Sequence, residues 1–168
     1  MDLPKRKQNR LPDWDYSALG AYFVTICTKG KKKLLCDIVG GGVLDAPQVV
    51  LTEIGWIAEQ ELLGIKNHYE NITIDKYVIM PNHIHLLIRI AERINPFPTK
   101  RYDIPNVVGK YKAAVTRCVG NAFMHSVELW QKSYHDHIVR NEADYRRIWE
   151  YIDTNPLKWE EDCFFVAE

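Results

Sequence analysis

The order of elements in the sequence is that of an α+β fold, a ferredoxin-like (RRM-like) antiparallel sheet with helices packed mainly on one face. Three observations predict it. Tyr77–Met80 and Ile84–Ile90 are apolar, β-branched runs that flank Pro81-Asn82, within candidate strands over 72–80 and 83–90. Proline lacks a ladder N–H and asparagine tolerates turn geometry, so the pair reads as a hairpin bend. Two stretches, from Thr52 to Gly64 or Asn67 and from Val107 to about Phe123, repeat apolar residues near helical spacing. Further strand-like runs and a last helical stretch give the order β–(hairpin)–α–β–β–α–β–α.

The chain in order supports this plan. At 168 residues, with 46% hydrophobic and 11% aromatic content, it is expected to form one domain across 1–168. Residues 1–17 are basic and hold Pro4 and Pro12, which predicts an arm with little structure of its own. Ala21 to Thr28 has strong β composition and is the first strand. Lys29-Gly30-Lys31-Lys32-Lys33 makes a basic turn. Leu34–Val39 and Val43–Leu51 flank Gly40-Gly41-Gly42 as a small hairpin, with Pro47 marking an edge. Thr52 can cap the first helix, whose apolar positions include Ile54, Ile57, Ala58 and Leu62.

Asn95 to Pro105, with three prolines, reads as a loop. The second helix then buries Val108, Tyr111, Val115 and Cys118 and turns Lys110, Lys112 and Arg117 outward. Trp130 to Val139 reads as the last strand. Asn141 caps a final helix with a core stripe of Tyr145, Ile148, Trp149 and Ile152. Pro156 disfavours helical geometry at Asn155 and ends that helix, leaving a short acidic tail over 157–168.

Charge and cysteine usage narrow the function classes. Lys+Arg and Asp+Glu both number 22, which argues against indiscriminate polyanion binding. Residues 1–33 hold eight bases against three acids, and residues 97–140 hold seven against three. Two such segments can line one groove, the alternative being solvated faces. Lys31, Lys32, Lys33, Lys110, Lys112, Arg117 and Arg140 lie in them and are the candidate nucleic-acid contacts. Cys27, Cys36, Cys118 and Cys163 form no C-x-x-C pair and read as reduced packing residues of a cytoplasmic protein. No apolar run approaches a membrane span.

The chemistry-bearing signal is His83-Ile84-His85. Alternation sends Ile84, Leu86, Ile88 and Ile90 to one face of the strand and His83, His85, Leu87 and Arg89 to the other. Two imidazoles roughly 7 Å apart along one face reach a single divalent ion. A surface or satisfied core pair is the commoner meaning of such a motif. On a strand face near solvent, the two are expected to change stability by no more than about 0.5 kcal/mol. His135 and His137 form a second, lower-ranked pair.

In the last helix Tyr151 falls at the border of the core stripe, and Asn155 lies one turn on, on the same side. A border tyrosine can simply cover the core with its hydroxyl in water. Asn155, preceding a proline, can instead cap the helix end.

Taken together, Met80-Pro81-Asn82-His83-Ile84-His85 and Tyr151-Ile152-Asp153-Thr154-Asn155-Pro156 resemble the REP-associated tyrosine transposases, IS200-like members of the single-tyrosine HUH nucleases. Residues 130–141 and the strand Tyr22 to Ile26 are also similar to that family. The resemblance spans roughly residues 10–160. It implies the HUH endonuclease fold, with His83, His85 and Asn155 as ligands of Mg²⁺ or Mn²⁺ and Tyr151 as nucleophile. It further implies metal-dependent nicking and strand transfer on single-stranded DNA at hairpin-containing repeat ends, through a 5′-phosphotyrosine. It admits a homodimer in which Tyr151 serves a partner's histidines. Within the basic helix Lys112 and Arg117 match best.

The alternatives are a non-catalytic nucleic-acid-binding module of RRM-like fold, an inactive relative, or a histidine phosphoesterase. The first wants alternating aromatics where His83 and His85 stand. A histidine triad wants His where Leu87 stands, and the two-histidine phosphoesterases want two separated His-x-Ser/Thr motifs.

Overall fold

The structure, a computed structural model, describes residues 14–40, 46–92, 102–124 and 128–166. Residues 1–13 of the basic arm, the Gly41-Gly42 bend, most of the proline loop and the last two residues of the tail lie outside these. Six strands and four α-helices are present among the described residues: β1 (Gly20–Cys27), β2 (Cys36–Val39), β3 (Gln48–Leu51), α1 (Glu53–Leu63), α2 (Ile65–His68), β4 (Ile72–Met80), β5 (His83–Ile90), α3 (Ile104–Phe123), β6 (His135–Val139) and α4 (Glu142–Thr154).

Four strands make one antiparallel sheet in the order β4-β5-β1-β6, while β2 and β3 pair separately. The α+β class and its antiparallel sheet are as the sequence predicts. Hairpin β4–β5 turns at Pro81-Asn82, with Met80 opposite His83 and Val78 opposite His85. On its other side β5 meets β1, with Cys27 opposite His83 and Thr25 opposite His85. The histidines therefore sit on an inner strand, flanked on both sides.

The two sheet faces carry separate apolar clusters. Ile84, Leu86, Ile88 and Ile90 pack with Ala58 and Leu62 of α1 and Val107, Val108, Tyr111, Val115 and Val119 of α3. The other face is smaller: Ala21 and Leu87 pack with Ile148 and Ile152 of α4. Tyr145 lies at the edge of that cluster, half-buried, its hydroxyl donating to Asp75 Oδ2 at 3.0 Å. The expected burial of its ring is thus partial. Trp149, placed on the core stripe by periodicity, is 38% exposed. The small second cluster ends before reaching it, and Lys76 Nζ lies 5.0 Å over its ring.

Three boundaries and one burial depart from the sequence reading, each for a local reason. Helix α3 begins three residues early, because the Asp103 carboxylate accepts from Asn106 N at 2.7 Å and Pro105 fits the first turn. Strand β6 covers only the second half of 130–139, since Trp130 makes an isolated bridge to Thr28. Asn155 keeps helical angles (φ −58, ψ −41) despite Pro156, and the chain continues as a 3-10 helix over Asn155–Glu161. Cys118 is only half-buried, with its thiol donating to Glu61 Oε1 at 3.2 Å.

Thr52 caps α1 as expected, accepting from Gly55 N. Gly55 is required there: a Cβ would lie 1.8 Å from the Leu35 carbonyl oxygen. That close approach docks α1 against the chain entering β2.

Candidate functional site

His83 and His85 are 0% and 1% exposed, not near solvent as the strand pattern alone suggests. Three layers enclose them. Phe23 of β1 stacks on His85 with ring centroids 5.1 Å apart. From α4, Tyr151 stands edge-on to His85 at 5.1 Å. The segment beyond α4, expected to be a plain acidic tail, folds over the remaining side. Its Phe164 lies 4.7 Å from the His83 ring and Trp159 6.0 Å from it. Periodicity carried no signal for this segment, because its aromatics follow neither a strand nor a helix pattern.

Hydrogen bonds fix each imidazole from behind. His83 Nδ1 meets Asn82 Oδ1 at 2.8 Å. The Asn82 amide is oriented by its Nδ2, which donates to Phe164 O at 2.8 Å and Lys31 O at 3.3 Å. Its Oδ1 can only accept, so His83 Nδ1 carries the proton and Nε2 keeps its lone pair. His85 Nδ1 meets the hydroxyl of Thr25 at 2.8 Å. The two Nε2 atoms then face each other at 2.9 Å. Burial pushes both imidazoles below their usual range; the Asp162 charge opposes this at His83, and His83 adds to it at His85.

The Tyr151 hydroxyl reaches the same point. It lies 3.2 Å from His85 Nε2 and donates to Asp162 Oδ2 at 3.0 Å. Burial, and then the Asp162 charge, raise the phenol well above its ordinary value, so it stays protonated at neutral pH. Asn155 is 2% exposed, and its Nδ2 donates to Asp162 Oδ2 at 2.9 Å. Its Oδ1 is buried with no hydrogen-bond partner among the described residues. So the amide is bound to the Asp162 carboxylate and does not cap the helix end with Oδ1.

This arrangement fits a divalent ion. Two nitrogens each about 2.1 Å from one ion, at right angles, stand about 3 Å apart, which is the separation of the two Nε2 atoms. An orphaned buried amide oxygen is a costly group unless something binds it. Hydrogen-bond partners on both Nδ1 atoms, here Asn82 and Thr25, are the usual way ligating histidines are held. His83, His85 and Asp162 each offer an atom within 4.8 Å of the others. Asp162 was missed by sequence reasoning. It lies outside the motif, in the stretch read as a short acidic tail.

The second pair is not gathered at the site. His137 Nε2 pairs instead with Asp144 Oδ2 at 2.7 Å, and His135 is exposed, its ring 6.0 Å from that of Phe164. Tyr134 is buried in the larger cluster, away from any helix of its own.

The candidate basic residues separate into groups. Lys112 points its ammonium at the carbonyls of Gln131, Lys132 and Ser133, at 2.5 to 3.5 Å, and so staples α3 to the following loop. This leaves Lys110 and Arg117 as exposed cations of that helix. Both line a cavity of about 400 Å³ with Tyr69, Tyr102 and Glu61. Lys31 is turned to the segment beyond α4, its Nζ 3.4 Å from Cys163 O and 5.4 Å over the Phe164 ring. Lys33 Nζ lies 5.7 Å over the Phe165 ring. Lys32 and Arg140 are exposed. No helix among the described residues is long and apolar enough to cross a membrane.

The chain is similar to known proteins in both sequence and fold. A family profile described as "Transposase IS200 like" matches residues 48–155. An uncharacterised protein of Haemophilus influenzae is 32% identical over 175 residues, covering 96% of this chain and 93% of that protein. The REP-associated tyrosine transposase of Escherichia coli is 28% identical over 85 residues, 51% of this chain and 44% of that one. Among solved structures, a REP-associated tyrosine transposase bound to a REP hairpin superposes with a TM-score of 0.60 at 21% identity. That superposition covers 83% of this chain and 68% of the other. At that identity the likeness speaks for the fold.

Proposed function

The chain belongs to the IS200-like transposase family, and on that footing we propose that it nicks and rejoins single-stranded DNA through a covalent 5′-phosphotyrosine at Tyr151. One observation carries the reading. A helix-borne hydroxyl stands 3.2 Å from one of two imidazole nitrogens that are themselves 2.9 Å apart. Among the tyrosines only Tyr151 is so placed, Tyr145 being turned to Asp75 and Tyr134 buried in the other cluster.

His83 Nε2, His85 Nε2 and Asn155 Oδ1 are the groups that would hold Mg²⁺ or Mn²⁺, hard ions that accept nitrogen and amide oxygen. Bound there, such an ion supplies Lewis-acid polarisation of a non-bridging phosphate oxygen. The chain's own residues do the rest. Tyr151 Oη attacks phosphorus, its proton passing to the Asp162 carboxylate that it already faces. The bond to the 3′ oxygen breaks, and that oxygen leaves as a hydroxyl by taking up the proton that Asp162 received. A phosphotyrosine preserves the phosphodiester's reactivity, so a second 3′-hydroxyl reverses the step and joins strands. Asn82 and Thr25 hold the imidazoles against rotation meanwhile.

All these groups come from one chain, so the step needs a single copy, whether or not the protein forms a homodimer. Lys110, Arg117, Lys32 and Arg140 are exposed and suited to follow a phosphate backbone. By likeness to the relative bound to a REP hairpin, the DNA is a single strand next to a hairpin.

The test is to incubate the protein with a 3′-labelled single strand and Mn²⁺, denature, and map the adduct. Label on the Tyr151 peptide is expected, and none with Tyr151→Phe. An adduct on another tyrosine overturns the assignment. Cleavage with no adduct identifies water as the nucleophile and a simple metal nuclease.

A further inference from the structure

We propose that the Asp162 carboxylate is itself a ligand of the divalent ion, so that the site is completed by a side chain from beyond the tyrosine helix. This rests on the reading of His83 and His85 as a metal pair. It adds an anionic oxygen to what is otherwise a neutral set of two imidazoles and an amide.

The geometry argues for it in three ways. One Asp162 oxygen lies within 4.8 Å of the ligand nitrogens of both histidines, and those distances are mutual across the three groups. Its Oδ2 meets Asn155 Nδ2 at 2.9 Å and the Tyr151 hydroxyl at 3.0 Å, so the carboxylate stands among the site's other groups. A carboxylate has about four acceptor sites, and two hydrogen bonds to Oδ2 and one to Oδ1 leave room for an ion.

Position alone is not the whole case, because the backbone also holds the carboxylate in place. Asp162 N donates to Trp159 O at 3.1 Å and Phe165 N donates to Asp162 O at 2.9 Å. Phe164 N donates to Asp162 Oδ1 at 2.6 Å. The next residues are fixed to the sheet by Phe164 O on Asn82 Nδ2 and by the Phe164 ring on His83. A carboxylate fixed this firmly beside two imidazole nitrogens is arranged for a cation. Mg²⁺ and Mn²⁺ favour carboxylate oxygen over imidazole more than zinc does. A site of two nitrogens, an amide oxygen and a carboxylate therefore leans towards them.

A rival role is that Asp162 only orients Asn155 by binding its Nδ2, with no direct contact to the ion. A double-mutant cycle separates the two. Mn²⁺ is titrated by calorimetry into the full-length, DNA-free chain as wild type, Asp162→Asn, Asn155→Ala, the double variant, and His83→Ala/His85→Ala. Far-UV circular dichroism and metal-free melting verify folding. If Asn155→Ala does not fold, Asn155→Ser replaces it in the cycle.

As a direct ligand, Asp162→Asn weakens Mn²⁺ at least tenfold, and does so again in the Asn155 background. Loss in the single variant but none in that background means Asp162 acts through Asn155 and overturns the proposal. Unchanged affinity in Asp162→Asn overturns it as well. Undiminished Mn²⁺ binding by His83→Ala/His85→Ala is a different result, for it removes the underlying metal reading.

Discussion

Tyr151→Phe removes one oxygen and almost no volume, while its hydroxyl makes two hydrogen bonds in the site. The variant is expected to form no covalent adduct and to lose only about 1 kcal/mol of stability, measured by urea unfolding. The histidines should behave differently from what a strand pattern suggests. His85 is buried beneath Phe23, Tyr151 and Phe164, and its removal strips the Thr25 hydroxyl of a partner. His85→Ala is therefore expected to cost roughly 2–4 kcal/mol in the metal-free protein. A change below about 0.5 kcal/mol would return it to the class of surface residues. At this scale the sequence was legible where chemistry repeats in a short motif, as in His83-Ile84-His85 and Tyr151 with Asn155. Asp162 was not, because nothing in Glu160-Glu161-Asp162 distinguishes the acid that turns inward from the two that face water.

Single elements carry the next level of support. Helix α4 is tied to β6 at its first turn by Asp144, whose carboxyl accepts from His137 and Arg147 and from the backbone N–H of Arg140. The Arg147 and His137 hydrogen bonds hold that carboxyl down at about 2. A depressed carboxyl contributes stability that is present above its ordinary pKa near 4 and lost as pH falls towards 2. Asp144→Ala is accordingly expected to lower Tm at neutral pH, with the difference from wild type shrinking between about pH 4 and 2. Helix α1 offers a steric counterpart: Gly55→Ala drives a methyl into the Leu35 carbonyl and is expected to cost about 1–3 kcal/mol in urea unfolding. Helix periodicity located all three long helices. It misplaced Trp149 because a stripe is read as if the surface it meets continues, and the cluster above Leu87 and Ala21 is short.

For the whole molecule, net charge is zero and function at a polyanion depends on where the cations are left free. Each phosphate neutralised in a single strand adds about 0.7 to the log–log salt slope. Lys110→Ala with Arg117→Ala is expected to lower that slope by about 1.4 in fluorescence titrations with a hairpin-flanked single strand. Lys112→Ala should instead lower Tm and leave the slope unchanged, since its ammonium is spent on three carbonyls. A slope change for Lys112 alone would reverse the assignment of these three. The sheet order also has a kinetic side. Hairpin β4–β5 closes locally across Pro81-Asn82, whereas β1 must find β5 some sixty residues away and β6 must then find β1 across most of the chain. Loop closure costs more the further apart the partners lie, and pairings of that kind set the rate. Substitutions in Ile79 and Ile84 should slow folding, while those in Ile148 should mainly speed unfolding. Histidines placed at the first closure and a tyrosine delivered at the last mean that a half-folded chain carries an open pair of imidazoles without the hydroxyl that faces them in the folded protein.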